Sequence, residues 1–184
     1  MAVASVVSSF DVTAALTLCI PQEFADKINE VRRIHDKAYP RWMPHVNFLF
    51  PFVEEKDFAP AIQVLTDVLN GFSPFELNLN EIGSFPQGKI KTVHVKAVDE
   101  TKIKELYARI RTVLPNVQVK HDDFHAHMTI AQVAKSGSDK QIQEFKQWLG
   151  SGFKFVVDRI YIIKRSKENG SDPFVVAHEI PFGA

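Results

Sequence analysis

The sequence predicts an α+β fold in which one unit of helices and strands occurs twice. Apolar residues recur at helical spacing in four segments and alternate with polar residues in segments between them. Two short strands, at 45–50 and 125–131, place His45 and His127 82 residues apart. We therefore predict that residues 1–184 form a single domain of two repeated lobes, related by an approximate two-fold axis, with both histidine strands facing one groove.

The first half of the chain is predicted to alternate between strands and helices. The run at 12–20 is short and apolar, which is typical of a buried strand, and Pro21 then favours the start of a helix. Phe24 and Ile28 begin the apolar stripe of that helix. The next predicted elements are the strand at 45–50, a helix at 56–70, a strand at 75–82, a turn at 83–88 and a strand at 90–98.

The second half repeats this order. At an offset of 82 residues, Phe24 and Ile28 correspond to Leu106 and Ile110, which lie on the apolar stripe of a predicted helix at 101–114. Agreement of several elements at one offset indicates a duplication. The remaining predicted elements are the strand at 125–131, a helix at 138–150, a long strand at 153–164 and a last strand at 173–180.

Composition limits the class of protein. A hydrophobic fraction of 45%, including 15 phenylalanines, is enough for a sizeable core. The formal net charge is zero, so no overall positive field would draw the protein onto long duplex nucleic acid; small substrates or chain ends are favoured. Cys19 is the only cysteine, which excludes an intramolecular disulfide and fits a reducing compartment. Its apolar neighbours predict a buried, inert thiol.

The apolar run at 12–20 is not expected to be a signal peptide, because Asp11 rather than a basic residue precedes it. No apolar run in the sequence is long enough to cross a membrane. We therefore expect a soluble monomer of the cytoplasm or nucleus with no membrane partner.

Each histidine strand carries two chemistries on its two faces. Side chains alternate along a strand, so His127 and Thr129 point to one side while Met128 and Ile130 point to the other. An imidazole and a hydroxyl two residues apart can hold one small anion, because the imidazole moves a proton and the hydroxyl donates a hydrogen bond. In the first copy, His45, Asn47 and Leu49 share one face, and Val46, Phe48 and Phe50 share the other.

Two histidines on opposite sides of one anion suit the hydrolysis of a phosphodiester. This reaction needs a base that deprotonates water and an acid that protonates the leaving oxygen, and the pKa of histidine suits both tasks. In-line displacement places these groups on opposite sides of the phosphorus. Thr129 and Asn47 would donate hydrogen bonds to the non-bridging oxygens. His45 and His127 are thus the candidate catalytic residues, and this chemistry needs no metal or other cofactor.

The pair of His-x-Thr-type motifs resembles the 2H phosphoesterase superfamily, which includes 2′,3′-cyclic phosphodiesterases and the 2′-5′ RNA ligases. The resemblance extends along almost the whole chain. It implies a two-lobed α+β fold with antiparallel sheets flanking a central groove and helices outside. It also implies metal-free hydrolysis of cyclic phosphates on nucleotides or RNA ends to 2′-phosphates, with His127 as the base and His45 as the acid. Asn47 departs from the family pattern, which has Thr or Ser there, although an amide can still donate to phosphate.

Other side chains are candidates for the groove. By the same resemblance, Phe85 lies where the family places groove-lining residues, and a base could stack on it; ordinary hydrophobic packing is equally compatible. His125 shares a face with His127 and is a second candidate for substrate binding. Trp42 precedes the first motif, but such a residue is more often a core anchor. We expect structural or solvated roles for His35, His94, His121, His178, Lys164 and Arg165.

The sequence leaves two other functions open. A metal-dependent hydrolase could use His121, His125 and His127 with Asp123, although this ignores the repeat. A non-catalytic or ligase-type module that binds nucleotides or RNA ends would retain the same fold. A histidine-triad hydrolase fails on chemistry, because Thr129 stands where a histidine nucleophile is needed. The sequence does not distinguish mononucleotides from RNA ends, 2′-5′ linked oligonucleotides or an ADP-ribose cyclic phosphate as substrates.

Overall fold

The computed structural model describes residues 10–117 and 123–183. In this part of the chain, strands and α-helices alternate, with one 3₁₀ turn at Glu55–Asp57. The strands and helices, in chain order, are β1 (Phe10–Asp11), β2 (Ala14–Cys19), α1 (Gln22–His35), β3 (His45–Leu49), β4 (Phe52–Val53), α2 (Phe58–Leu69), β5 (Phe75–Gln87), β6 (Ile90–Ala97), α3 (Thr101–Val113), β7 (His127–Ala134), α4 (Ser138–Leu149), β8 (Phe153–Val157), β9 (Arg159–Lys164) and β10 (Val175–Pro181).

Two four-stranded antiparallel sheets form the framework. The first has the strand order β10-β9-β2-β3 and the second has the order β7-β6-β5-β8, while β1 and β4 pair separately. The histidine strands β3 and β7 begin with His45 and His127, and each lies at the edge of its sheet. β3 contacts β7, so the two edges meet at the middle of the molecule. The predicted α+β class with antiparallel sheets is confirmed.

The two sheets correspond strand for strand. β3, β2, β9 and β10 in the first sheet take the places of β7, β6, β5 and β8 in the second. β5 of the first half thus joins β6 and β7, and β9 of the second half joins β2 and β3. The cross-strand rows through the motifs are Asn47–Thr17–Tyr161 in the first sheet and Thr129–His94–Gly83 in the second.

The helices correspond at an offset of 78 residues, not at the predicted 82. α1 buries three residues beginning at Ala25, and α3 buries three with the same spacing beginning at Ile103. Leu106 therefore corresponds to Ile28, and its predicted match with Phe24 is wrong. The connection from α3 to β7 is four residues longer than that from α1 to β3, which restores the offset of 82 at the histidines.

α1 and α3 are exchanged between the sheets. α1 follows β2 of the first sheet but packs on β7 of the second, where the rings of Phe24 and Phe153 lie 5.5 Å apart. α3 follows β6 of the second sheet but packs against α2, which contacts β10 of the first. Tyr107 of α3 stacks on Phe124, and Phe124 in turn stacks on Phe48 of β3. Each sheet is therefore covered by helices from both halves of the chain.

Two predicted elements differ from the structure. The predicted long strand at 153–164 is two strands that separate at Asp158 and join different sheets. The predicted turn at 83–88 belongs mostly to β5, which continues to Gln87 because β6 provides a pairing partner along its whole length. Gly88, with a positive φ of 60°, makes the tight turn.

Each histidine strand contains a β-bulge directly after its motif. Phe48 is the extra residue in β3, following Asn47, and Ile130 is the extra residue in β7, following Thr129. A bulge shifts the alternation of side chains, so Leu49 is buried instead of facing the groove as predicted. Both strands thus present only their histidine and the residue two positions later to the groove.

One apolar core continues through both lobes. A smaller apolar cluster of Ala15, Ile163 and Phe174 lies on the face of the first sheet that carries Thr17, with Trp42 packed against it. Within the described ranges, no helix is long and apolar enough to cross a membrane.

Candidate active site

His45 is held on two sides at the start of β3. Its Nδ1 donates a hydrogen bond to the backbone carbonyl of Met43 at 2.6 Å, since a carbonyl can only accept. The Trp42 ring stacks on the imidazole, with centroids 4.8 Å apart and an interplanar angle of 20°. These contacts fix the ring and its neutral tautomer, so the lone pair lies on Nε2.

His127 is held by the same backbone arrangement at the start of β7. Its Nδ1 donates to the carbonyl of His125 at 2.9 Å, again two residues earlier in the chain. The neighbouring rings differ: Phe85 and His94 make edge-to-face contacts with centroids 6.0 Å and 5.1 Å from that of His127. Nε2 is therefore the available nitrogen in both histidines.

The two histidines lie within electrostatic reach of each other. A positive charge on His127 contributes to lowering the pKa of His45. Beneath them, Phe48 of β3 stacks on Phe124, which precedes β7, with centroids 5.9 Å apart. The two histidines thus lie near each other at the meeting edges of the two sheets, and that both face one groove stays a prediction.

A buried polar network bridges the lobes behind the histidines. Arg32 and Asp36 form an ion pair at 2.8 Å, with side chains 2% and 1% exposed. Asp36 also accepts a hydrogen bond at 3.2 Å from Gln132 of β7, and the amide oxygen of Gln132 accepts one at 2.8 Å from the Lys37 backbone. The bridge ties the end of α1 to the strand that carries His127. The sequence does not predict this bridge, because no local pattern distinguishes these residues from a solvated helix end.

Burial dominates the electrostatics of His45. Loss of solvent lowers its pKa to about 4, because the imidazolium is poorly stabilised away from water. The hydrogen bond to Met43 opposes this effect, while the charges of Arg32 and Asp36 act in opposite directions. With this pKa His45 is neutral at neutral pH, which leaves the lone pair of Nε2 available; its expected role as the acid stays a prediction.

Asn47 and Thr129 lie two residues after their histidines, on the groove faces of β3 and β7. Asn47 is exposed and Thr129 is half-buried. The cross-strand partner of Asn47 is Thr17, and that of Thr129 is His94. The amide and the hydroxyl can each donate a hydrogen bond to an anion between the histidines. Their role in binding substrate stays a prediction.

Phe85 reaches the site from β5. Its ring is 41% exposed and contacts both His127 and His94, the latter with centroids 5.4 Å apart. The structure thus brings Phe85 beside one candidate catalytic residue, with part of its surface open to a ligand. It lies there on a strand and not on the predicted turn.

His94 lies beside the candidate catalytic His127, although the sequence predicts only a structural or solvated role for it. It pairs with Thr129 across the β6–β7 ladder, and its ring contacts those of His127 and Phe85. A two-residue turn at Gly88 would have predicted its pairing with Gly83. Its pairing with Thr129 depends on the bulge in β7, which no pattern in the sequence predicts.

His125 does not offer a ring nitrogen to the groove. Its Nδ1 pairs with Glu100 at 2.8 Å and its Nε2 pairs with Asp123 at 2.9 Å. The same Glu100 accepts a hydrogen bond from the Ala126 backbone. The predicted substrate contact by this side chain therefore finds no support; the backbone carbonyl of His125, which orients His127, is what serves the site.

The metal alternative depended partly on His121, which lies outside the described residues. In the described part of the chain, no three His, Cys, Asp or Glu side chains are grouped so that they could hold a metal ion. His125 and Asp123 instead pair with each other.

Cys19 lies directly opposite His45 across the β2–β3 ladder. Its Sγ contacts the sulfur of Met43 at 3.5 Å, and burial raises its pKa to about 11. A thiol with such a pKa stays protonated at neutral pH, so it is a poor nucleophile. This agrees with the predicted inert role.

The basic residues near 164 lie in a separate cleft of about 400 Å³. Lys164 is paired with Glu55, and Lys167 with Asp11 at 2.6 Å. Arg165 donates to the carbonyl of Gly170 and lies over the Phe174 ring. These partners agree with the expectation that Lys164 and Arg165 do not hold the substrate phosphate.

Known proteins resemble this chain in sequence over most of its length. A family model described as the 2′-5′ RNA ligase superfamily matches residues 20–169. A protein from Staphylococcus aureus strain JH1, named as a candidate phosphoesterase, is 25% identical over 151 residues, which cover 81% of this chain and 88% of that protein. A similarly named protein from Staphylococcus haemolyticus is 23% identical over 155 residues, covering 83% and 90%.

Solved structures resemble the fold. Escherichia coli LigT in complex with 3′-AMP gives a TM-score of 0.63 at 14% identity and covers 92% of this chain and 97% of its own. A Thermus thermophilus protein gives a TM-score of 0.60 at 15% identity with the same coverage of 92% and 97%. The family match includes both histidine strands. The chain therefore belongs to the 2′-5′ RNA ligase superfamily, the 2H phosphoesterases.

Proposed function

We propose that this protein hydrolyses 2′,3′-cyclic phosphates of nucleotides or RNA ends by two-histidine acid–base catalysis, without a metal ion. The shared arrangement of the histidines carries the proposal. Both His45 and His127 donate Nδ1–H to the carbonyl two residues earlier, at 2.6 Å and 2.9 Å, on neighbouring edge strands. Each therefore offers Nε2, which can take a proton when neutral and give one when charged.

A cyclic phosphate between the two histidines would have its non-bridging oxygens near Asn47 and Thr129. Water attacks the phosphorus and forms the new P–O bond while the P–O3′ bond breaks, which leaves a 2′-phosphate. The base takes a proton from the water, and the acid gives one to O3′. The amide and the hydroxyl stabilise the charge that develops on the other phosphate oxygens.

The environments assign the roles differently from the family resemblance. His45, whose pKa burial lowers to about 4, is neutral at pH 7, so the lone pair on its Nε2 is free to take a proton from water. His127 lies beside Phe85, whose exposed ring suits the nucleoside side of the substrate and so the leaving O3′. We assign His45 as the base on water and His127 as the acid on O3′.

A nucleoside substrate is supported by the position of Phe85. Its ring is 41% exposed and lies 6.0 Å from His127 between centroids, so a base stacked on it would be close to the phosphate. LigT, whose fold this chain shares, has been crystallised with 3′-AMP. A nucleoside phosphate is therefore the ligand class to test first.

The experiment follows 2′,3′-cyclic AMP by phosphorus NMR with the full-length protein, with and without exhaustive chelation. We expect a single 2′-phosphate product at a rate that chelation does not change, and a severe loss of rate with His127→Ala. His178→Ala, which alters an exposed histidine beside Phe58, serves as the control. Activity that chelation abolishes and zinc restores would establish the metal-dependent alternative. Nucleotide binding without turnover would establish the non-catalytic one.

A further inference from the structure

His94 occupies a position in the second lobe that has no counterpart ring in the first. It stands between Thr129 and Gly83 in its cross-strand row, where the first lobe has Thr17 between Asn47 and Tyr161. Cross-strand partners present their side chains to the same face of a sheet, so the His94 ring lies on the face that carries Thr129 and His127.

The Nε2 corner of the His94 ring approaches the backbone of Gly83. A Cβ added at Gly83 would stand 2.4 Å from Nε2 of His94 and 3.0 Å from its Cε1, far inside van der Waals contact. The backbone of Gly83 has no positive φ, so its conformation does not call for glycine. The absence of a side chain at 83 is instead what makes room for the imidazole.

The His94 ring closes a cluster of three rings. Its centroid lies 5.1 Å from that of His127 and 5.4 Å from that of Phe85, and Phe85 lies 6.0 Å from His127. Rings at these distances and inclinations attract each other through their quadrupoles beyond the area they bury. The cluster adds ring contacts to the backbone hydrogen bond that holds His127.

Within the described part of the chain, Nδ1 of His94 makes no hydrogen bond. This nitrogen is nevertheless buried. Burial is the main cause that lowers the pKa of His94 to about 4, with the charge of His127 second. An uncharged ring beside His127 does not compete with it for the proton. Its contacts with the site are ring contacts.

We propose that His94 is a positioning residue that acts through His127. Because the His94 ring packs against Gly83, it holds the imidazole of His127 and the neighbouring Phe85 ring in place. In this orientation Nε2 of His127 points at the phosphate. The inference rests on the proposed function for its kinetic consequence, but the orientation of His127 can be measured without turnover. It also explains why position 83 is glycine while the corresponding Tyr161 is large.

The test is a double-mutant cycle of Gly83→Ala and His94→Ala, with His94→Phe added. With 2′,3′-cyclic AMP, His94→Ala should lower kcat by about 10- to 100-fold and leave KM within about twofold, because a misplaced acid weakens only the transition state. Gly83→Ala should cause a similar loss by displacing the ring. In the His94→Ala background Gly83→Ala should be neutral, since the new Cβ then meets no ring. His94→Phe should retain most of the activity.

Nitrogen NMR of His127 at a pH high enough to keep its imidazole neutral provides a readout that does not depend on catalysis. The Nδ1–H tautomer should be dominant in the native protein and in His94→Phe. It should be mixed with the other tautomer in His94→Ala and in Gly83→Ala, because the ring can then turn away from the carbonyl of His125. His178→Ala, which removes an edge-to-face histidine at 5.8 Å from Phe58, should change nothing. If no variant hydrolyses the substrate but the tautomer responds as expected, the proposed function fails and the positioning role stands.

Three outcomes would overturn the positioning role. Activity within twofold of the native level in His94→Ala would remove it. A loss in His94→Phe as large as in His94→Ala would mean that a nitrogen of His94 contacts the substrate. Losses that multiply in the double variant would mean that Gly83 and His94 act separately.

Discussion

The two histidines have the same backbone geometry and different surroundings. His45 and His127 each begin an edge strand, donate Nδ1–H to the carbonyl two residues earlier and precede a bulge. Around His45 a Trp42 ring lies flat and burial lowers the pKa to about 4. Around His127 the rings of Phe85 and His94 stand edge-on.

The two copies of the motif share their backbone geometry, whereas the side chains around the two histidines differ. The backbone hydrogen bond fixes the tautomer, and with it the atom that faces the groove. Burial lowers the pKa of His45. The surroundings of each copy can therefore change the proton affinity of its histidine without changing which nitrogen faces the groove.

The largest expected effect distinguishes the two histidines. His45→Ala and His127→Ala should each lower kcat/KM roughly 10²- to 10⁴-fold on a cyclic nucleotide, since each removes one proton transfer. A para-nitrophenyl phosphodiester needs no proton on its leaving group, so it should restore much of the activity of His127→Ala but not of His45→Ala. Restoration of His45→Ala alone would exchange the two roles. Native activity in both variants would end the two-histidine mechanism.

Asn47 and Thr129 test whether the lobes bind the anion equally. Asn47→Ala should lower kcat about 10²-fold, as the loss of an anion donor typically does, whereas Asn47→Thr should keep much of the activity because it restores the residue type of the second motif. Steady-state kinetics of the two variants against the native protein measure this. Equal rates for Ala and Thr would mean that only the second lobe donates to phosphate.

The bridge between the lobes should contribute to stability. Gln132→Ala removes one donor to the buried Asp36 and the acceptor of the Lys37 N–H, and it should lower the free energy of unfolding by about 1–3 kcal/mol, because two hydrogen bonds between the lobes are lost. Gln63→Ala, which removes an exposed hydrogen bond to Asp67 on α2, is the matched control and should cost less than about 0.5 kcal/mol. Urea unfolding measures both. Equal losses would show that the bridge is worth no more than a surface contact.

The smallest expected effect on rate at neutral pH concerns Trp42. Trp42→Ala should expose His45 and raise its pKa from about 4 toward 6.5, because burial is the main cause that lowers it. His45 would still be mostly neutral at pH 7, so kcat should change little while the acid limb of the pH profile moves to higher pH. NMR titration of His45 measures the shift, with Trp148→Phe on α4 as the control. An unchanged pKa would place the source of burial elsewhere.

Sequence patterns predicted the elements and both motifs because these depend on local periodicity. The helical stripe beginning near Phe24 and the alternation in the histidine strands need no distant partner to be recognised. The break at Asp158 was missed because the strands on either side are both β-like and differ only in which sheet accepts them.

The contacts of His94 and Gln132 around the candidate site were missed because their partners are distant in sequence. The pairing of His94 with Thr129 depends on a bulge in β7, which changes the register after the motif. The contact of Gln132 with Asp36 depends on the exchange of α1 onto the second sheet. Local periodicity predicts neither the bulge nor the packing of α1 on the second sheet. Both contacts can therefore be identified only from the assembled sheets.

The exchange of α1 and α3 bears on how a substrate enters. Swinging the lobes apart would pull α1 away from β7 and expose the packing of Phe24 on Phe153 to water. Burying such aromatic surface is strongly favourable, so a wide hinge motion would be costly. Substrate recognition by this groove should therefore depend on its preformed shape and not on induced fit. Ligands broader than the groove in this structure should not bind, because the lobes cannot open to admit them.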